Sequence, residues 1–147
     1  MEQLKKELKD CTLKNTEYFS FAGKRFLCKC IKVYDGDTIT VAFKPFKENG
    51  DESIYKYSIR LSGIDTPEMR TKNPNEKKKA IEVRDLLREK ILDSFVYIEC
   101  DEFDKYGRLM CCIFDEDNIN INKWLVDNGM ANEYDGGIKK YFNFDNS

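Results

Sequence analysis

Histidine is absent from this 147-residue chain. The commonest general base and nucleophile activator is therefore missing, so any hydrolysis must rest on carboxylates, a metal ion or both. No apolar run approaches the ~20 residues of a membrane-spanning helix, and no membrane partner is expected. An excess of positive charge is also lacking: 25 Lys and Arg stand against 27 Asp and Glu, a net charge of −2. That excludes a protein holding nucleic acid by bulk basicity, but not local contacts made by a few arginines and a metal ion. The six cysteines, Cys11, Cys28, Cys30, Cys100, Cys111 and Cys112, contain no Cys-x-x-Cys pair. Without histidine, a structural zinc site has little support. The charged opening from Met1 to Asp10 has no apolar export segment. An intracellular protein with reduced core cysteines is the expectation.

What is present is an ordinary folded composition, 41% hydrophobic and 35% charged, at a length suited to one domain. Phe26, Cys28, Cys30 and Lys32 alternate along a first strand from Lys24 to Tyr34. Asp35-Gly36 signals a tight turn. Thr38 to Phe43, rich in β-branched residues, reads as a second strand, and Ile54 to Leu61 as a third. Asn73 is suited to cap a helix with Pro74 at its first position and Glu76 completing a capping-box-like arrangement. Ala80, Val83, Leu87 and Ile91 then recur at helical spacing. Phe95 to Ile98 and Arg108 to Phe114 supply two more strands. A short helix over Asn122 to Asn128 ends at Gly129. Five short strands with a helix between the third and fourth fit an α+β, mainly β fold: a five-stranded OB-fold Greek-key barrel with two or three helices.

Three segments concentrate unusual polar residues: Asp35-Gly36-Asp37-Thr38; Arg60-Leu61-Ser62-Gly63-Ile64-Asp65-Thr66-Pro67-Glu68; and Asp104-Lys105-Tyr106-Gly107-Arg108. Each alone reads as a turn. Together, each at a strand end, they display carboxylates and arginines where functional groups sit on a rigid scaffold. Carboxylate oxygens can hold a metal ion without help from histidine. Arginine offers a planar fork that matches two phosphate oxygens.

With these motifs, and with Ile121 to Ala131 resembling a family helix and its exit, the chain from about Lys24 to Tyr134 resembles the staphylococcal nuclease family. The resemblance implies an OB barrel and a calcium-dependent, sugar-nonspecific nuclease yielding 3′-phosphate products. It implies Asp37 and Asp65 as carboxylate ligands of the ion and Thr66 as a carbonyl ligand, with Asp35 as a nearby acidic support. Glu68 matches the general base or water-orienting group. Arg60 and Arg108 match the arginines on the scissile phosphate, and Lys105 and Tyr106 match contacts to another phosphate. Tyr134 stands near a base-stacking tyrosine, although Asp135-Gly136-Gly137 breaks the match there. Nucleic acid, DNA or RNA with single strands favoured, is the implied partner, and the chain is expected to be monomeric.

The expected organisation is an N-terminal extension over residues 1–22, the nuclease domain over 23–135 and a short tail over 136–147. Little chain follows Tyr134 to form the family's third helix. Leu4 and Leu8, four apart, suit a short amphipathic helix; a partly ordered tail is the alternative. The hairpin between Phe43 and Ile54 exceeds the family's usual length and reads as a surface insertion, with altered substrate access as the alternative. Lys72, Lys77, Lys78 and Lys79 read as a solvated helix start, with steering of nucleic acid toward the site as the alternative. The alternative function is a non-catalytic OB-fold module that binds nucleic acid; a partner-binding barrel is a third reading. Two carboxylates beside a phosphate site disfavour binding without a metal.

Overall fold

The computed structural model describes residues 1–135; the tail expected over 136–147, and whatever remains of a third family helix, lie outside them. Five strands form a closed barrel: β1 (Arg25–Asp35), β2 (Thr38–Phe43), β3 (Tyr55–Leu61), β5 (Phe95–Phe103) and β6 (Leu109–Phe114), in the order β1-β2-β3-β6-β5. All neighbours are antiparallel except β3 and β6, which pair in parallel and close the Greek key. This is the OB-type α+β barrel expected from the sequence. A two-stranded sheet of β4 (Ile64–Asp65) and β7 (Asn132–Glu133) sits beside it, too short to show any periodicity in the sequence.

The barrel interior is filled by alternating strand positions, Ile39 and Val41 from β2, Ile59 and Leu61 from β3, Val96 and Ile98 from β5, Leu109, Cys111 and Ile113 from β6. In β1 the alternation changes phase. Cys28 and Cys30 are buried, but Lys32 is exposed and Val33 takes the inward place. A register shift between Cys30 and Lys32 adds a residue there and turns the strand over, which corrects the expectation for Lys32.

Helix α2 (Pro74–Ile91) packs through Ala80, Val83, Leu87 and Ile91, all buried. Burial of each of the larger side chains contributes about 1.5–3 kcal/mol. Asn73 caps it, its side chain accepting from the Asn75 and Glu76 amides. Glu76 does not close a capping box. Its carboxylate accepts from the Glu68 amide and the Thr71 hydroxyl instead. Helix α3 (Ile121–Asp127) is capped by Asn120 and followed by Gly129 at φ 72°, a conformation that favours glycine.

The N-terminal arm carries helix α1 (Glu2–Leu8), with no buried residue; Leu4 and Leu8 are both exposed. The arm is fastened further on. Phe21 is buried against Phe26, Phe43, Phe46 and Phe103, and Phe19 stacks edge-on to it at 4.8 Å. No helix among the described residues is long and apolar enough to cross a membrane. All six cysteines are free; four are buried in the core, while Cys11 is exposed and Cys112 half-buried.

Candidate functional site

The turn joining β1 to β2 is built around a carboxylate. Asp35 Oδ1 accepts the Asp37 amide at 3.1 Å, which bends the chain and aims Asp37 into the barrel mouth. The intervening Gly36 is required by space: a Cβ there would lie 2.5 Å from Val83 Cγ1 of α2. Helix and turn are thus in direct contact.

Asp37 is then held from three sides. Its Oδ1 accepts from Thr38 Oγ1 at 3.1 Å, and its Oδ2 accepts from the Thr66 amide at 3.3 Å and hydroxyl at 2.9 Å. Arg60 donates through Nη1 to the Leu61 carbonyl at 2.8 Å, which fixes the guanidinium. Its Nη2 lies 3.4 Å from Asp37 Oδ2 and 3.7 Å from Asp65 Oδ1. Two carboxylates from turns far apart in sequence therefore face one guanidinium. The three side chains are only 9–12% exposed, so their charges interact with little screening. Asp35 feels the crowding. Burial, then the neighbouring Asp37 charge, push its carboxyl up to about 7 against a smaller lowering by Arg60.

The rim is set by two loops. In the β5–β6 turn, Asp104 Oδ1 accepts the amides of Tyr106 and Arg108, both at 2.9 Å, and its Oδ2 accepts Arg108 Nε at 2.7 Å. Burial alone would raise the Asp104 carboxyl, but those amides and the Arg108 side chain outweigh it and hold it below the ordinary value. Arg108 reaches Thr38 Oγ1 at 3.5 Å through Nη1, which brings its guanidinium beside the Asp37 turn. Lys105 Nζ and Arg108 Cζ lie over the exposed Tyr106 ring at 5.2 and 5.6 Å. Opposite in sequence, Glu68 follows β4 and is held through its amide by Glu76 at 3.3 Å. Tyr134 comes to the site because β7 pairs with β4 and its amide donates to the Gly63 carbonyl at 2.8 Å.

All ten residues singled out from the sequence, Asp35, Asp37, Arg60, Asp65, Thr66, Glu68, Lys105, Tyr106, Arg108 and Tyr134, line one cavity of about 940 Å³. None of residues 44–54 lines it, in keeping with the long hairpin being a surface insertion. Sequence reading missed four contributors. Tyr34 and Arg70 line the same cavity. Asp104 organises the Arg108 loop. Asn122, 4% exposed, donates to the carbonyls of Ser62 and Cys111 and accepts the Ile113 amide, pinning the chain just before Ile64. An Asn on the apolar face of a short helix was the one available signal for it. Among the described residues no three His, Cys, Asp or Glu side chains gather closely enough to hold a metal ion by themselves.

This arrangement can bind a phosphodiester: guanidinium donors and carboxylate acceptors converge on a cleft open to solvent. The staphylococcal nuclease homologue family model matches residues 58–145. That span takes in every candidate from Arg60 to Tyr134 but begins after Asp35 and Asp37, which the barrel brings to the same cleft. Among curated proteins, Endonuclease Htp3 of Saprolegnia parasitica (strain CBS 223.65) is 27% identical over 115 residues, covering 72% of this chain and 54% of that protein. The chain thus spans about half the length of this relative.

Proposed function

Since this chain belongs to the staphylococcal nuclease homologue family, a family of nucleases, we propose that it is a calcium-dependent, sugar-nonspecific phosphodiesterase acting on DNA and/or RNA, as a monomer, with single strands favoured. Residues 23–135 form the catalytic unit in this reading, and residues 1–22 are an extension to it. The observation that carries it is the shared contact of Asp37 and Asp65 with Arg60 inside the cavity that also holds Arg108 and Glu68.

The donor set fits a hard cation. Two buried carboxylates meet one guanidinium, and a third carboxyl nearby, Asp35, is pushed up to about 7 by burial and then by the Asp37 charge. Asp37, Asp65 and the main-chain carbonyl of Thr66 would hold Ca2+. Bound there, such an ion would offset the phosphodiester charge and would polarise its phosphorus centre.

The remaining roles fall to this chain's side chains. Arg60 and Arg108 take the non-bridging phosphate oxygens and stabilise the charge that builds there as water adds in line. Glu68, exposed at the cavity wall, orients that water and accepts its proton. A bond from the water oxygen to phosphorus forms as the bond to the 5′ oxygen breaks. The phosphate stays on the 3′ side, the 5′ oxygen takes a proton from solvent and leaves as a hydroxyl, and Glu68 returns its proton to solvent. Lys105 and Tyr106 hold the neighbouring phosphate, and Tyr134 stacks on the base.

Digestion of plasmid and single-stranded substrates with calcium, magnesium or chelator tests the reading. Cleavage should require a divalent ion and leave 3′-phosphate ends. Glu68→Gln and Arg60→Ala should each slow it by roughly 10²–10⁴-fold while the fold is kept. Unchanged rates in both variants would rule out this site. Equal binding of single strands in chelator, with no cutting under any condition, would instead favour the non-catalytic binding module.

A further inference from the structure

The pairing register lays the site across four adjacent strands. Asp35 is opposite Thr38, Thr38 opposite Arg60, and Arg60 opposite Met110. At about 4.8 Å per strand, this row runs on the order of 14 Å from β1 to β6. The cation and the aromatic assigned above to a neighbouring phosphate, Lys105 and Tyr106, belong to the β6 end. At the β1 end Tyr34 lines the cavity without an assigned role; Arg70, also in the lining, follows by four residues Thr66, whose side chain packs against the β1–β2 turn at Gly36.

Tyr34 faces the cavity for a specific reason. Neighbouring residues of a regular strand point to opposite faces, but Tyr34 and Asp35 both line the cavity. A register shift between Val33 and Asp35 re-aims the strand end, and such irregularities commonly redirect side chains beside active sites. The ring is 44% exposed, with Lys32 Nζ 5.8 Å from its centroid. It is an aromatic face with a cation on it, held at the mouth of a cleft rather than packed into the core. Arg70 follows Glu68 by two residues, is exposed, and makes no ion pair with another described residue. Its charge is available to a ligand. The site thus has an acidic centre with cation and aromatic groups on both sides, the arrangement that suits a polyanionic strand laid across it.

We propose that Tyr34 and Arg70 form a second nucleotide subsite at the β1 end of the cleft. Tyr34 stacks a base and Arg70 binds the adjoining phosphate, so that the strand is gripped on both sides of the bond that is cut. This rests on the nuclease reading above and adds a determinant of substrate length to it.

The test uses the full chain carrying Glu68→Gln, so that strands are bound without being cut, and a single-stranded hexanucleotide with 2-aminopurine placed at successive positions. Stacking on Tyr34 quenches the probe at one position, distinct from any quenched through Tyr106 or Tyr134. Tyr34→Leu should abolish that quench and weaken binding about fivefold or more; Tyr34→Phe should restore both. Arg70→Ala should weaken binding similarly, with Arg70→Lys intermediate. In the active background, the same variants should lower kcat/KM for a hexanucleotide more than for a dinucleotide. Unaltered quenching and affinity in Tyr34→Leu and Arg70→Ala, alongside weakened binding in Lys105→Ala, would overturn the subsite and leave the nuclease reading standing. Failure of the unaltered protein to bind or cut any strand would overturn both.

Discussion

The Glu76 carboxylate, in the first turn of α2, accepts the main-chain amide of Glu68 at 3.3 Å. The proposed base is thereby tied to the helix start, and through Glu76 Oε2 to the Thr71 hydroxyl at 2.9 Å. Glu68 itself is exposed and sits on an irregular segment, so this anchor limits how far it can wander.

Removing the anchor should therefore cost more activity than stability. Glu76→Ala is expected to lower kcat/KM about tenfold, since a misplaced catalytic group is penalised steeply. The loss of unfolding free energy should stay near 1 kcal/mol. Steady-state kinetics beside urea denaturation checks this; equal proportional losses in the two would mean that Glu76 acts only on the fold.

Gly36 and Val83 define a second constraint. With a Cβ at position 36 only 2.5 Å from Val83 Cγ1 and 3.0 Å from Thr66 Cγ2, Gly36→Ala must push α2 or the Thr66 segment aside. A destabilisation of about 1–3 kcal/mol is expected. Adding Val83→Ala should recover part of it, with a coupling of about 1 kcal/mol in a double-mutant cycle. Strict additivity would show that the contact is not what excludes a side chain there.

Asp104 gives the Arg108 loop a pH dependence. Its carboxyl is held below the ordinary value by hydrogen bonds from Arg108 and Tyr106. The stabilisation is therefore fully present above the unfolded-state value of about 3.9 and is lost as pH falls through the folded value. Asp104→Asn should be less stable than the unaltered chain at neutral pH, and the two should converge in acid. Parallel stability curves down to the lowest pH would contradict this.

Thiol reactivity should divide by burial. Burial pushes the Cys28 thiol up, Cys30 up to about 11, and Cys112 up as well; Cys100, held below the ordinary value by its hydrogen bond with Cys111, is shielded by burial, whereas Cys11 lies exposed on the N-terminal arm. A thiolate-selective reagent at neutral pH should show one fast group per folded chain, removed by Cys11→Ser. A fast phase that survives this substitution would point to opening of the barrel.

Much of this was legible because its signals are local. Strand alternation from Thr38 to Phe43, the helical spacing of Ala80, Val83, Leu87 and Ile91, and three polar turns need only nearest neighbours in sequence to be seen. What escaped depends on long-range geometry. The phase change that exposes Lys32 and buries Val33 comes from a register shift against β2. The two-residue pairing of β4 with β7, which brings the already named Tyr134 to the cleft, leaves no periodicity in the sequence. Glu76 is chemically suited to a capping box, and only the fold of the preceding loop sends its carboxylate to Glu68 instead. Asn122 looks like any polar residue of a short helix until three main-chain groups, from Ser62 and from Cys111 and Ile113 of β6, are found around its amide.

The central claim is that Asp37 and Asp65, drawn together at Arg60, hold a calcium ion beside the substrate phosphate. Calorimetric titration of calcium into the chain with a non-hydrolysable single-stranded analogue measures it most directly. One ion per chain is predicted, with affinity reduced at least about tenfold in Asp37→Ala and in Asp65→Ala. Calcium binding of undiminished strength in both variants, or full cleavage activity in excess chelator, would contradict the account.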